Sequence, residues 1–249
     1  MRHISRPDGV LTAGYVRQGE YVMSVELLPL FPLNSVLFPS MVLPLHIFEE
    51  RYKLMINTCL AQDKPFGIVL IYSGSEVGGP AVPHPVGTMA RIGHWEWLPD
   101  GRMNIITVGE RRFRITEYAS FDLPYLVGAV EYWEDEAAEF VDLPKLMDNI
   151  SRSFIDYLTL IMSLADQALP VSQLQLPADP SMLSYHVASN LQIEMNEKQE
   201  LLEEPSAAAR LQRELALLRR EGAFLQRLVS LQGSIHEEDL PWGGLLYTN

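Results

Sequence analysis

The first strong pattern along the chain is an apolar run that proline interrupts at short intervals. Residues 28–52 read "LPLFPLNSVLFPSMVLPLHIFEERY" and contain Pro29, Pro32, Pro39 and Pro44. Proline has no backbone N–H to donate, so it is confined to strand edges, bulges and turns. The run therefore predicts short strands joined by kinks rather than one long helix or one central strand.

At the end of this run the pattern changes from strand-like to helical spacing. Apolar residues now recur every three or four positions, and charged residues fill the other side. The apolar positions are Phe48, Tyr52, Met55, Ile56 and Leu60. This spacing predicts an amphipathic helix.

Strand-like segments then predominate up to Trp133. The continuous apolar run "FGIVLIY", residues 66–72, is typical of a buried strand. The segments "VGTMARIGHWEWL" and "RMNIITV" flank "PDG", residues 99–101, which predicts a hairpin turn. Two more alternating segments, "RFRITEYASF" and "YLVGAVEYW", follow. We therefore expect residues 25–133 to be mostly β, with one inserted helix.

Helical spacing returns after the acidic linker "EDEAAEF". From Leu143 to Leu164 the apolar residues step by three or four, and Asp142 stands at the expected N-cap. Asp179 followed by Pro180 is a second and specific helix start signal. The chain beyond the linker is therefore expected to be helical.

The last predicted helix carries a heptad-like apolar seam. Its members are Leu211, Leu215, Leu218, Gly222, Leu225 and Val229. The favoured interpretation is packing against other helices of the same domain. The alternatives are weak self-association through a short coiled coil, or docking onto another protein.

These patterns predict an α+β fold made of a β-domain followed by an all-α subdomain. The expected organisation is a poorly ordered extension over residues 1–22, a β-domain over 23–135, a helical subdomain over 136–232 and an irregular tail over 233–249.

Composition and charge narrow the classes of function. Of the 249 residues 47% are hydrophobic, which is ample for a core. The 19 Lys and Arg residues against 32 Asp and Glu residues give a net charge of −13, which disfavours nucleic acid as a partner. The single cysteine, Cys59, fits a reducing compartment and a structural thiol. With no bilayer-length apolar stretch and no signal-peptide pattern, the expected location is the cytoplasm, without a membrane partner.

No catalytic motif emerges from the sequence. There is no G-x-x-x-x-G-K-[ST] loop for nucleotide phosphates, and the six histidines are scattered without metal-ligand spacing. The carboxylates Asp135, Glu136 and Glu139 lie in the linker, where they are expected to be solvated rather than tuned for acid–base chemistry. The sequence therefore predicts no catalytic residue, no metal site and no cofactor.

Two features are candidates for binding. Trp95 and Trp97 are two apart on a predicted strand and so project from one face, with His94 and Glu96 on the other. Such a pair is more often core than a ligand platform, although exposed aromatic residues do anchor peptides. A second cluster, Arg111, Arg112 and Arg114, is expected to pair with acidic groups rather than to form an anion site.

Four ordered blocks of the sequence resemble the amino-terminal domain of the ATP-dependent Lon proteases, from about Leu27 to Leu228. They are "LPLFPLNSVLFPSMVLPLHIFEERY", "VGTMARI", "LPDGRMNIITVGERRFRI" and "DPSMLSYHVASNLQIEMNEKQELLE". The resemblance implies a PUA-like β-barrel or sheet domain followed by a helical-bundle subdomain, in a region that serves substrate recognition. Because the ATPase and Ser/Lys peptidase modules of those enzymes are not part of the match, the expected role is not enzymatic.

The resulting hypothesis is a polypeptide-binding module for unfolded or degron-bearing polypeptides, with an adaptor role in proteolysis or quality control. Its candidate contact residues are Phe38, Met41, Trp95 and Trp97. The alternative is a structural or regulatory subunit that docks onto a dedicated partner through its last helix. The candidate docking residues are Leu211, Leu215, Leu218 and Leu225.

Overall fold

The computed structural model describes residues 14–18, 21–119, 122–136, 142–165, 167 and 174–234. Contacts divide the chain into two compact units. The first comprises the chain up to Glu136 together with Ala188–Pro205, and the second comprises the remainder. The expected boundary near residue 135 is close to this division, but the structure places Ala188–Pro205 with the strands rather than with the helices.

The described residues form seven strands and five helices. The strands are β1 (Gly14–Gln18), β2 (Tyr21–Leu33), β3 (Val42–Ile47), β4 (Phe66–Gly74), β5 (Ala81–Trp97), β6 (Met103–Ala119) and β7 (Leu126–Tyr132). The helices are α1 (Glu50–Gln62), α2 (Leu143–Leu164), α3 (Pro180–Asn190), α4 (Met195–Glu203) and α5 (Ala207–Ser234). The extension expected over residues 1–22 contains β1, while residues 1–13 and the tail from 235 onward lie outside the described residues.

The first unit is built on a mixed sheet. The strand β2 runs parallel to β4 and antiparallel to β7, and the remaining pairs are antiparallel. Because β7 pairs with both β2 and β6, the path β2–β4–β5–β6–β7 returns to β2 and closes a ring. The strand β3 lies outside this ring and pairs with β6.

Both faces of the central strands are buried, which explains their continuous apolar runs. On β2, Leu28 and Leu30 belong to one buried cluster, whereas Phe31 and Leu33 belong to another. Helix α1 contributes Met55, Ile56 and Cys59 to the second cluster, so its apolar stripe covers that face of the sheet. The helix begins at Glu50 rather than at Phe48, which is 45% exposed.

The proline-rich opening stretch forms two strands and a tight connection between them. Ser40 has a φ of 64° in this connection, and its N–H donates to the carbonyl oxygen of Gly109 at 2.8 Å. Gly109 N–H in turn donates to the Met41 carbonyl oxygen at 3.0 Å. A side chain at Gly109 would collide with the backbone carbonyl of Phe38, so this close approach requires glycine.

The second unit is helical. Its buried residues come mainly from α2 and α5, which pack along each other, and they include Leu146, Ile150, Phe154, Tyr157, Leu211, Leu217 and Leu218. Both predicted helix start signals are confirmed, because Asp142 accepts from Lys145 N–H at 3.3 Å and Asp179 accepts from Met182 N–H at 2.9 Å. None of the helices in the described ranges combines the length and the hydropathy that a membrane span needs.

Candidate functional site

Trp95 and Trp97 lie near the end of β5 and share one face of the sheet. Their partners across the strand pair are Ile105 and Met103, while His94 and Glu96 pair with Ile106 and Asn104. The predicted arrangement of the two faces is therefore confirmed. The indole side chains are each 49% exposed. The pair therefore does not belong to the core, contrary to the interpretation that the sequence favoured.

The exposure of this pair follows from the different lengths of neighbouring strands. The last β5 residue that pairs with β4 is Ala90, opposite Phe66, whereas β5 continues beside β6 to Trp97. Residues 91–97 are consequently bordered by one strand only within the described part of the chain. A register shift between Ile92 and His94 marks a bulge at this extension.

The other two candidate contact residues are placed less favourably. The Phe38 side chain is completely buried, which means that it cannot contact a polypeptide on the surface, and this part of the prediction is wrong. Met41 is half-buried and packs against the core cluster beneath α1. Its backbone accepts from Gly109, so it stabilises the connection between β2 and β3.

A groove of about 460 Å³ is a concave feature of the first unit. Its walls are the start of α1, residues 78–81 and residues 123–126. Tyr52 and Tyr125 line it with rings that are mostly buried, and Tyr52 packs on Phe31 with 4.1 Å between ring centroids. Burial raises the pKa of both tyrosines, so both phenols stay neutral at physiological pH.

The charged residues at the rim of this groove bind the loop of residues 76–79. The Arg51 guanidinium pairs with Glu49 at 3.0 Å and donates to the carbonyl oxygens of Gly79 and Glu76 at 3.2 and 3.3 Å. Glu49 also accepts from Gly78 N–H at 3.2 Å. These contacts fix the loop against α1, and the groove therefore offers shape and apolar surface rather than acid–base chemistry.

Of the arginine cluster on β6, Arg112 pairs with an acidic group as expected, whereas Arg111 and Arg114 lie over aromatic rings. Arg112 is 2% exposed, forms an ion pair with Asp135 and stacks on Trp133 with 4.8 Å between its Cζ and the ring centroid. Arg111 and Arg114 lie over the rings of Tyr132 and Trp133 at 4.2 and 5.1 Å. The expectation that Asp135 is solvated is wrong, because this carboxylate lies against a buried guanidinium.

The seam of α5 is largely buried within its own unit. Leu211 and Leu218 are 0% and 2% exposed, so the docking role predicted for them is wrong. Leu215 and Leu225 are half-buried. The favoured interpretation, packing against helices of the same domain, agrees with this burial.

A buried polar network lies beside the seam of α5. Arg210 Nε donates to Ser184 Oγ at 2.6 Å, and this hydroxyl donates to Glu214 Oε1 at 2.6 Å. Arg210 also lies over the ring of Tyr185 at 4.2 Å. This network was not predicted from the sequence, although two charged residues one helical turn apart on an apolar face are a signal for it.

The described residues contain no group of three or more His, Cys, Asp or Glu side chains that could hold a metal ion. Cys59 is buried, and burial raises the pKa of its thiol to about 12. A protonated, buried thiol is a poor nucleophile, which agrees with a structural role for this residue.

Comparison with known proteins gives a consistent result. The model of the ATP-dependent protease La (LON) substrate-binding domain matches residues 27–220. The Lon protease of Trichlorobacter lovleyi is 31% identical over 217 residues, which cover 86% of this chain and 26% of the relative. The Lon protease of Dictyoglomus thermophilum is 27% identical over 214 residues, which cover 86% and 27% respectively. The chain thus spans about a quarter of the length of these curated relatives.

Two solved structures share the fold. The crystal structure of the Lon N-terminal domain protein from Xanthomonas campestris aligns with a TM-score of 0.57 at 29% identity, covering 77% of this chain and 98% of that one. The N-terminal domain of the Mycobacterium avium complex Lon protease aligns with a TM-score of 0.55 at 20% identity, covering 78% and 98%. The family match over most of the chain and the shared fold lead to one conclusion: this chain belongs to the ATP-dependent protease La (LON) substrate-binding domain family.

Proposed function

We propose that the chain is a non-catalytic polypeptide-binding module that recognises unfolded or degron-bearing polypeptides through its β unit. The observation that carries this proposal is the exposed pair Trp95 and Trp97 on the singly bordered end of β5. Membership of a substrate-binding domain family supports it. A PUA-like fold of the β unit, an adaptor role in proteolysis or quality control and a cytoplasmic location belong to the same proposal.

Two half-exposed tryptophans supply useful but modest binding energy. If a ligand covers roughly 100 Å² of each indole, the gross gain is about 5 kcal/mol at 25 cal/mol per Å². Loss of freedom on association offsets part of this gain. The two indoles alone therefore account for weak binding, with a Kd of about 1 mM or weaker, as suits a module that must release its polypeptides.

The proposal of a non-catalytic role is supported by how the polar groups of the β unit are used. Arg51 and Glu49 hold a loop, and Arg112 and Asp135 hold each other. These side chains are committed to structural contacts rather than arranged around a reacting atom.

The test is to incubate the purified chain with a fluorescent polypeptide that reduction and carboxymethylation of its cysteines keep unfolded, and with the same polypeptide in its native, disulfide-bonded form, each with and without ATP. We expect binding of the unfolded form alone, with no shortening of the polypeptide in either condition. Equal binding of the folded form, or no binding at all, would contradict polypeptide recognition. Cleavage by the chain would contradict the non-catalytic role.

A further inference from the structure

We infer that the free edge of β5 at residues 91–97 binds one extended segment of the polypeptide as an additional strand, with alternating apolar and basic or neutral side chains. The inference rests on the proposed function and adds a binding mode and a class of ligand to it. Backbone hydrogen bonds would supply the affinity, and alternate side chains would supply the selectivity.

The backbone of residues 91–97 is paired on one side only within the described chain. Over residues 91–97, β5 pairs with β6 on one side, and no strand of the described chain pairs on the other side. Six of these seven residues are exposed, and Ile92 is half-buried. A row of unpaired N–H and C=O groups of this kind is a template for pairing with another strand.

The strand β3, which lies on the other side of β6, differs from this edge. That edge contains Pro44, which offers no N–H and therefore blocks strand addition. The segment "RIGHWEW" contains neither proline nor lysine. Its one basic residue, Arg91, pairs with Glu110 of β6 at 2.5 Å, so its charge is drawn away from the free edge.

The side chains beside the free edge of β5 form one aromatic set and one polar set. Trp95 and Trp97 flank it on one face, and His94 and Glu96 flank it on the other. An added strand would therefore place apolar side chains beside the indoles and the alternate side chains beside Glu96. Acidic residues there would meet both Glu96 and a chain whose net charge is −13, whereas lysine or arginine would be attracted.

The test uses three short peptides of alternating valine and lysine. One is unmodified, one carries N-methyl groups on every valine, and one carries them on every lysine. A strand that adds at one edge uses the N–H groups of only one alternate set. We therefore expect one methylated peptide to bind about tenfold more weakly or worse than the unmodified peptide, and the other to stay within about threefold of it.

A fourth peptide of alternating valine and glutamate tests the charge selectivity, and we expect it to bind about tenfold more weakly than the lysine peptide. Hydrogen exchange locates the site: amides within residues 91–97 should exchange more slowly when the lysine peptide is bound, while those of β3, Val42–Ile47, should not change.

Three outcomes overturn the inference. Equal affinities of the two methylated peptides show capture through side chains alone, and equal binding of the glutamate peptide removes the assigned ligand class. Protection of residues 91–97 in a dimer without peptide shows that a second copy of the chain occupies the edge. In each of these cases the proposed function stands if an unfolded polypeptide still binds. If neither the unfolded polypeptide nor the short peptides bind, the proposed function fails as well.

Discussion

Arg112 on β6 donates a hydrogen bond of 2.8 Å from Nη1 to the carbonyl oxygen of Leu202, which lies 90 residues further along the chain. The same nitrogen donates to the Glu204 carbonyl oxygen at 2.7 Å, and Nη2 pairs with Asp135. One buried guanidinium thus satisfies the carbonyl groups at the end of α4. This contact is one of those that join Ala188–Pro205 to the β unit, together with the hydrogen bond from Gln199 to the Val86 carbonyl oxygen.

We expect Arg112→Met to destabilise the protein by about 3 kcal/mol or more, because it leaves a carboxylate and two carbonyl oxygens without their buried donor. The measurement is urea denaturation followed by circular dichroism. The matched control is Arg111→Met, which removes only an exposed cation–π contact with Tyr132 and should cost about 1 kcal/mol or less. Equal losses for the two variants would contradict this account of Arg112.

The two glycines Gly109 and Gly222 should respond to alanine in opposite directions. An added Cβ at Gly109 meets the Phe38 carbonyl oxygen, so Gly109→Ala should cost about 2 kcal/mol or more. An added Cβ at Gly222 meets nothing within 4 Å inside α5, so Gly222→Ala should stabilise by about 0.5–1 kcal/mol. Thermal unfolding of both variants checks this, and a stable Gly109→Ala protein would refute the close approach.

Cys59 should react slowly with thiol reagents while the protein is folded. The folded-state pKa of about 12 lies above the ordinary value of 9.0, so at pH 8 the thiolate is roughly a thousandfold rarer than in the unfolded chain. The rate of modification by an aromatic disulfide reagent, with and without urea, measures this difference. Fast modification in native buffer would show that the thiol is accessible and contradict its structural role.

The seam of α5 should behave as a core rather than as a docking surface. Leu218→Ala removes a fully buried side chain and is expected to destabilise the protein by about 2–5 kcal/mol. Leu231→Ala, at a position of the same helix that is 61% exposed, should change stability by about 0.5 kcal/mol or less. Denaturation curves distinguish the two variants. If Leu218→Ala left the free energy of unfolding unchanged, the seam would again be a candidate docking surface.

Local signals in the sequence predicted much of the architecture because they depend on nearby residues. The helix caps at Asp142 and Asp179 and the turn at Gly101, with a φ of 78°, follow from backbone chemistry within a few positions. The alternation that places Trp95 and Trp97 on one face likewise needs only the period of a strand. Each of these features is present in the structure as expected.

The features that the sequence could not provide depend on long-range pairing. Whether the two tryptophans are buried depends on where β4 stops pairing with β5, and that point is set by the register between two strands. Phe38 is completely buried, and its carbonyl oxygen lies against Gly109, which is far away along the chain. The return of α4 to the β unit involves partners far earlier in the chain, among them Arg112 with Leu202 and Val86 with Gln199.

The measurement that tests the central claim most directly is isothermal titration of one unfolded polypeptide into three proteins: the wild type, the double variant Trp95→Ala with Trp97→Ala, and Phe224→Ala. Phe224 is a matched control because it is 57% exposed and lies on α5 in the other unit. All three proteins should share one melting temperature within a few degrees, because none of these side chains is in the core. Binding through the β unit predicts that the double variant loses about tenfold or more in affinity while Phe224→Ala binds as the wild type does. Unchanged affinity of the folded double variant would contradict the claim.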